Sequence, residues 1–355
     1  MSTMTPSIGL AQISLLEKLS NACAVSGDEG AVRKIVLDEI RAHADELRVD
    51  ALGNVLAVRK AKIDHPLRVL IDAHMDEIGF MIVEDDKEGL FRFELVGGID
   101  VRVLPGKTVL VGKENVPGVI GAKPIHLPEE GETGRKIPLD ALRIDVGQNG
   151  GKVKIGDRAT FATRFRQLGP SLVGKALDNR IGIATLIELV KNPPENIELL
   201  AAFSVQEEIG LRGAQVAAYA HNPDLAIAID STPALDLPAW DDSENTGYNT
   251  RLNAGPAIYI ADAGTLSDPR LVRHLAQTGQ TLAIPFQFRQ PGGGGTDAGA
   301  IHKVRAGVPT VSVSIPGRYA HTAATITRLV DWENALALVY QSLVRLDRSL
   351  FSVER

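Results

Sequence analysis

What most constrains the fold of this chain is a change of texture between residues 78 and 166. Over that stretch the sequence offers only short β-type runs, at 80–83, 90–93, 108–111 and 119–120, parted by glycine, proline and charged turns. No segment of helical period and useful length interrupts them, so the block reads as a small barrel or sandwich of its own. On either side the signals differ. Residues 11–24 carry Ile13, Leu15, Leu16, Leu19 and Cys23 at helical spacing, and 26–29 supply cap and turn residues for a second helix running to about residue 46. Residues 47–60, with Gly53 and Asn54 in the middle, alternate like a hairpin, and 67–71 form a buried strand. After Gly174, strands near 198–204, 225–230, 256–260, 284–289 and 309–315 alternate with helices near 178–190, 211–220, 267–278, 297–305 and 329–347. That rhythm predicts an α/β fold, a mixed central sheet flanked by helices, with an inserted small β-barrel-like domain. The expected division is 1–77 with 167–355 for the α/β domain and 78–166 for the insert.

The bulk composition excludes several function classes. With 355 residues, 44% hydrophobic and 23% charged, this is a folded globular chain and not a disordered one. A net charge of −6 without blocks of Lys or Arg argues against nucleic acid or an anionic membrane surface as partner. No apolar run reaches the roughly 18–20 residues of a membrane span, and the first residues lack the basic and apolar regions of a signal peptide. The lone Cys23 cannot make an internal disulfide, which points to a reducing, cytoplasmic setting. At its helical position it reads as a small buried hydrophobe and not as a catalytic thiol.

The residues that could carry chemistry fall at the edges of the α/β elements and not in the insert. His74 and Asp76 follow the strand at 67–71, and Asp178 begins a helix. Glu207 and Glu208 follow the apolar run 199–203, Asp230 ends the strand at 225–230, and His321 follows the strand at 309–315. Open α/β sheets keep their ligand crevice at the carboxyl ends of the strands, so these side chains can converge. Two imidazoles with several carboxylates suit zinc or cobalt. Glu207 and Glu208 would repel each other without a cation, one of them tending to stay protonated, and metal ions relieve that repulsion. Successive residues of an extended backbone point opposite ways, so a turn at 206–209 is required to aim both at one centre. Singly, each residue has a plainer explanation: a solvated Glu-Glu pair, Asp178 as a helix cap, Asp76 as a turn cap, a hydrogen-bonded structural histidine. His43, His65, His126, His221, His274 and His302 sit in helical, loop or polar contexts and are read as structural. The glycines at 292–295 before Thr296 and Asp297 lack both the P-loop ending and dinucleotide spacing, so they read as a tight turn of close backbone approach.

Six segments now stand in order: 73–80 (AHMDEIGF), 175–180 (KALDNR), 206–210 (QEEIG), 228–230 (AID), 294–299 (GGTDAG) and 318–321 (RYAH). Together they resemble the tetrahedral aminopeptidase family, dinuclear metallopeptidases that include glutamyl and deblocking aminopeptidases. The resemblance covers essentially the whole chain, insert included. It implies a zinc-exopeptidase-like fold and two divalent metal ions per subunit, Zn2+ or Co2+ with Mn2+ as a further candidate. Asp178 would bridge them, His74 and Asp230 completing one site and Glu208 and His321 the other. Three protein ligands per metal leave an open position for water, as a catalytic site requires. Glu207 would be the general base and Asp76 the carboxylate that orients the His74 imidazole. The glycine run and Thr322 depart from the family pattern without touching these positions.

The expected activity is metal-dependent removal of N-terminal amino acids from short peptides. Hydrolysis of non-peptide amides, such as acylated amino acids, by the same metal pair is the alternative within enzymes. A non-catalytic metal-binding scaffold is the alternative outside them, and Glu207 beside Glu208 argues against it, since a scaffold needs no base. By resemblance the insert pairs subunits into dimers that build a hollow dodecamer. From the sequence alone, a β module with exposed edges needs covering. The specificity pocket is expected around 292–296, 315–318 and 232–255, with Arg318 either meeting an acidic substrate side chain or forming a structural ion pair.

Overall fold

A computed structural model describes residues 5–124, 126–127, 136–241, 243, 245–247, 249–290 and 293–352. Gly292, the first glycine of the run, lies outside them. Two helices open the chain, α1 (Leu10–Asn21) and α2 (Gly30–Ile40), followed by the hairpin β1 (Glu46–Val49) and β2 (Val55–Arg59). The buried strand predicted at 67–71 is β3 (Leu67–His74). Six strands follow: β4 (Gly79–Asp85), β5 (Leu90–Val96), β6 (Thr108–Val111), β7 (Val116–Gly121), β8 (Arg143–Asp145) and β9 (Arg158–Phe161). They close into a barrel in the order β4-β5-β8-β7-β6-β9. The chain then returns through β10 (Arg166–Leu168) and β11 (Ser171–Gly174) to α3 (Leu177–Lys191). The remaining elements are β12 (Ile197–Ser204), α4 (Arg212–His221), β13 (Leu225–Pro233), β14 (Ala257–Ile258), α5 (Pro269–Leu282), β15 (Gln287–Phe288), α6 (Ala298–Ile301), β16 (Thr310–Arg318), β17 (Thr325–Arg328) and α7 (Leu329–Val344).

The central sheet runs β1-β2-β12-β3-β13-β16-β17-β11-β10, and its middle four strands are mutually parallel. Their near-continuous apolar sequences follow from burial on both faces. Along β3 and β12, Val69, Ile71, Leu199 and Ala201 pack on one side with α1, α2, α3 and α7, in a core that also holds Leu16, Leu186 and Trp332. Their alternate neighbours Leu70, Leu200 and Ala202 pack on the other side against Ala214, Ala217 and Ala218 of α4 and Ile301 of α6. Small residues on α4 let that helix lie close to the sheet. The barrel has its own core, in which Phe80 meets Phe93 and Phe161 edge-to-face at 5.1 and 5.2 Å. Among the described residues, no helix is long and apolar enough to cross a membrane.

Several local expectations are corrected. The second helix ends at Ile40, not near residue 46, because 46–49 pair antiparallel with β2 instead. Cys23 lies beyond the end of α1 and is only partly buried, so it is not a core residue of that helix. The helix expected over 297–305 is the single turn α6. The short strands β8, β9, β10, β11 and β17 carried too few residues for a periodic signal.

Candidate active site

The parallel core fixes the first part of the site. β3 and β12 pair in register with Ser204 opposite His74, and β13 pairs with β16 with Asp230 opposite Ser314. Beyond β12 the backbone leaves extended geometry at Gln206, whose φ is 58°. Gly210 and Leu211 then both donate their N–H to the Glu207 carbonyl at 2.9 Å. This is the turn that two adjacent glutamates require. It sends the Glu207 carboxylate to 4.0 Å from His74 Nε2 and the Glu208 carboxylate to 3.8 Å from His321 Nε2.

Asp178 stands between the two imidazoles. Its Oδ1 is 3.3 Å from His74 Nε2 and its Oδ2 is 3.4 Å from His321 Nε2. It does not cap its helix: Ala176 occupies the cap position in a left-handed conformation, and Asp178 has non-helical angles of −79° and 105°. Asp230 brings Oδ1 to 3.5 Å from His74 Nε2, from within a β13 that continues to Pro233. Two triads of potential ligands result, His74 with Glu207 and Asp230, and Asp178 with Glu208 and His321, the ligand atoms of each lying within 4.8 Å of one another. All seven residues singled out in the sequence, Asp76 included, therefore gather at one place.

The electrostatics of this cluster test whether cations fit it. Burial is the main cause that pushes the Asp230 carboxyl up to about 6 and the Glu208 carboxyl up to about 8, with Asp178 nearby adding to both. Glu207 is likewise driven well above the carboxylate range by burial and by Asp230, Asp297 and Glu208. Burial works against charge on His74, yet Glu207, Asp178, Asp230 and Asp76 together hold it well above the usual imidazole range. Asp178, its Oδ2 3.4 Å from Nε2, is the main reason that the His321 imidazole is raised to about 10. Oxygen- and nitrogen-rich, crowded with like charge and desolvated, the donor set fits divalent cations.

Asp76 is the hub beneath the site. It is fully buried, and although burial opposes its charge, His74, Ser26 and the Glu207 N–H hold its carboxyl below the ordinary range. Its Oδ1 accepts the Glu207 N–H at 3.0 Å and its Oδ2 accepts the Glu208 N–H at 3.2 Å. The His74 Nδ1 lies 3.4 Å from Oδ1, longer than an ordinary hydrogen bond, and has no closer acceptor. The segment carrying Asp76 is itself pinned. The buried Arg180 guanidinium donates to the carbonyls of Met75 and Asp76, and Lys175 Nζ meets both oxygens of buried Glu77 at 2.8 and 2.9 Å.

Three contributors escaped the sequence reading. Ser26, expected to cap or turn before α2, instead donates its hydroxyl to Asp76 Oδ2 at 2.6 Å. The Gly98 carbonyl, on the connection leaving β5, accepts from His321 Nδ1 at 2.8 Å, so the barrel region does reach the site. The signal for it was the pair Gly97-Gly98: a Cβ on Gly98 would lie 3.3 Å from His321 Nδ1, and Gly97 has a φ of +85° beside Glu208. Third, Asp297 shares the Ser204 hydroxyl with buried Asp72, at 2.8 and 3.1 Å, directly behind the strand ends. Arg318 is engaged inside the molecule, its Nε donating to Asp236 Oδ1 at 2.6 Å. The other histidines stay apart: burial pushes His221 down to about 4, while ring nitrogens of His274 and His302 bond to the carbonyls of Ser342 and Ala298.

The chain is also similar to known proteins. A sequence model of M42 glutamyl aminopeptidases matches residues 53–338. A lysyl aminopeptidase of Pyrococcus furiosus is 33% identical, over 91% of this chain and 94% of that protein. A glutamyl aminopeptidase of Lactococcus lactis is 31% identical, over 90% and 92%. The solved TET1 peptidase of Pyrococcus horikoshii, described as assembling into a tetrahedron or a large octahedral shell, is 32% identical with a TM-score of 0.82, over 94% of this chain and 100% of that one. The chain carrying this paired cluster at the carboxyl ends of a mixed sheet, with a closed barrel between β3 and β10, belongs to the M42 aminopeptidase family.

Proposed function

We propose that this metal-dependent aminopeptidase removes N-terminal residues from short peptides, with His74, Asp178 and Asp230 holding one divalent ion and Asp178, Glu208 and His321 the other. The observation that carries this assignment is the placing of the two Asp178 oxygens, one toward each imidazole. When bound, such a metal pair lowers the pKa of a water from about 15.7 towards about 7 and polarises a carbonyl. Glu207 is the group left to move protons. Its carboxylate sits beside the cluster, and it takes the proton of the attacking water and delivers it to the leaving amine. Although Glu207 is near enough to His74 and Asp230 to be a third donor there, assigning it as base leaves that site the open position that catalysis needs. Asp76 holds the Glu207–Glu208 turn and faces the His74 ring. The surplus of carboxylates suits the free amine of an unblocked peptide and disfavours an acylated one.

Zinc or cobalt fits the mixed imidazole–carboxylate donors better than a purely hard cation, with manganese a third candidate. We assign the barrel region, about 78–166, as a dimer-forming module inserted in an α/β domain of 1–77 and 167–355, and the assembly as a dodecamer built from dimers. Support comes from the TET1 relative and from apolar side chains in need of cover, Leu127 and Ile155 within 78–166 and, in the α/β domain, Leu235, Leu237 and Trp240, the last 97% exposed. The lone cysteine supports a cytoplasmic location. Relatives named for lysyl and for glutamyl substrates are similar to this chain at nearly equal identity, and Arg318 is already paired with Asp236, so an acidic preference has no support from that arginine.

The deciding experiment is metal-free protein refilled with Zn2+, Co2+ or Mn2+ and assayed on aminoacyl chromogenic substrates and their N-acetylated counterparts. Release from the unblocked series alone is the expected outcome. Cleavage of the acetylated series alone would favour the amidohydrolase reading, and inactivity of fully metal-loaded protein on every substrate a scaffold.

A further inference from the structure

We propose that Ser26, in the loop between α1 and α2, is a positioning residue for the second metal site, acting through Asp76 on the Glu207–Glu208 turn. The inference rests on the assignment of Glu208 and His321 as ligands. An ionised carboxylate only accepts hydrogen bonds, and the two oxygens of Asp76 serve different partners. Oδ1 takes the Glu207 N–H and faces His74, whereas Oδ2 takes the Glu208 N–H and the Ser26 hydroxyl. At 2.6 Å the Ser26 contact is the shortest of the four and is charge-assisted. It therefore sets the rotation of the carboxylate about its Cβ–Cγ bond, and so the point at which the Glu208 N–H is gripped.

Ser26 is itself held in place. Val25 bridges to Glu77 in the parallel sense, and the Val25 carbonyl accepts the Asp28 N–H at 2.8 Å. On the barrel side, Arg158 of β9 donates Nε to the Ser26 carbonyl at 3.2 Å. With 1% of its surface exposed, Ser26 is shielded from water that would compete for its hydroxyl. A chain of contacts thus runs from the barrel through Arg158, Ser26 and Asp76 to Glu208.

Removing the hydroxyl frees Oδ2 of one donor while Oδ1 keeps both of its contacts, so the loss should fall on Glu208 and spare His74. The test is a Co2+ titration of metal-free wild-type, Ser26→Ala and Ser26→Thr proteins, followed calorimetrically and by the cobalt d–d absorbance. Melting of the metal-free forms and kcat and KM at saturating cobalt are measured alongside. Expected for Ser26→Ala are an unchanged first equivalent and a second bound about 10- to 100-fold more weakly, the usual cost of losing an outer hydrogen bond to a ligand network. At saturating cobalt its kcat should fall with little change in KM, and Ser26→Thr, which keeps the hydroxyl, should restore both properties. Two equivalents bound by Ser26→Ala with wild-type affinity overturn the proposal. So does a lowered melting point of the metal-free Ser26→Ala protein with unchanged cobalt spectra, which would mark a purely structural role. Failure of the wild type to cleave any unblocked substrate would instead sink the aminopeptidase assignment, and the titration would still decide the role of Ser26.

Discussion

The two halves of the site are built differently. The half around His74 grows out of the parallel core: the histidine ends β3, Asp230 lies within β13, and their side chains are 2% and 8% exposed. The half around His321 is built from connections. His321 has a φ of 58° two residues after Tyr319 at 63°, its side chain is 42% exposed, and its Nδ1 leans on a carbonyl from the barrel side. Strands flanked by neighbours on both sides open only with the whole fold, whereas loop positions open locally at little cost. The contrast teaches that, of the two proposed metal positions, one should be rigid and tight, and the other adjustable and weaker.

The largest effect should come from Glu207, which sits with the rigid half. Glu207→Gln keeps the shape of the side chain and its backbone anchor to Asp76, and loses the base. Turnover should fall by roughly 10²- to 10⁴-fold, the usual contribution of general acid–base catalysis, with both metals retained. Metal analysis beside steady-state assays checks this, and equal loss of metal and activity would make Glu207 a ligand instead. Next come the histidines. His321→Ala should deplete one metal and leave the other, whereas His74→Ala should weaken both, because Asp178, Asp230 and Glu207 then face one another in a buried space without their imidazole. Full metal occupancy in His321→Ala would remove it from the ligand set. Equal losses in the two variants would erase the proposed asymmetry.

Chelation probes the same contrast through stability. Anything that binds only the native state stabilises it by about 2.7 kcal/mol when present at about 100 times its Kd. Titrating metal back should therefore raise the melting temperature in two steps, the first at lower metal concentration. A single step would mean that the sites fill together and the rigid and adjustable halves are coupled.

How much of this was legible in the sequence follows the same division. His74, Glu207 and Asp230 follow or end apolar runs whose only good placement is a buried parallel strand, so their convergence could be anticipated. The turn at Gln206 could be too, since two neighbouring carboxylates cannot otherwise face one centre. The barrel announced itself by the absence of helical period, although β8 and β9 were too short to be marked. What stayed hidden depends on contacts between distant segments that leave no periodic trace. Ser26 looked like a helix cap because a serine before a helix usually is one; only the fold brings Asp76 within its reach. Asp72 and Asp297 are joined by one hydroxyl across three elements, and their sequence neighbours give no sign of it. Arg318 was open between substrate and structure until Asp236, 82 positions away, was placed against it.

The smallest predicted effect, at Gly98, is the sharpest probe of the adjustable half. Its carbonyl accepts from His321 Nδ1, which leaves Nε2 directed at Asp178 and Glu208. In Gly98→Ala the new methyl would lie 3.3 Å from Nδ1, tighter than ordinary contact, with the ring edge at 3.8 Å. The backbone needs no left-handed angle there, since Gly98, unlike Gly97, has no positive φ, so the substitution should not strain the turn. What must give is the imidazole, by a few tenths of an ångström, and His321 is exposed enough to move. Because a ligand histidine is oriented by the partner of its other nitrogen, that shift should, with His321 the ligand proposed above, weaken the proposed second metal by a few-fold, below the roughly 10-fold cost of losing such a partner outright. Cobalt titration of Gly98→Ala would show it as a change confined to the second equivalent. A change in the first equivalent would mean that displacement at His321 reaches His74 through Asp178, and that the two halves are less independent than their burial implies.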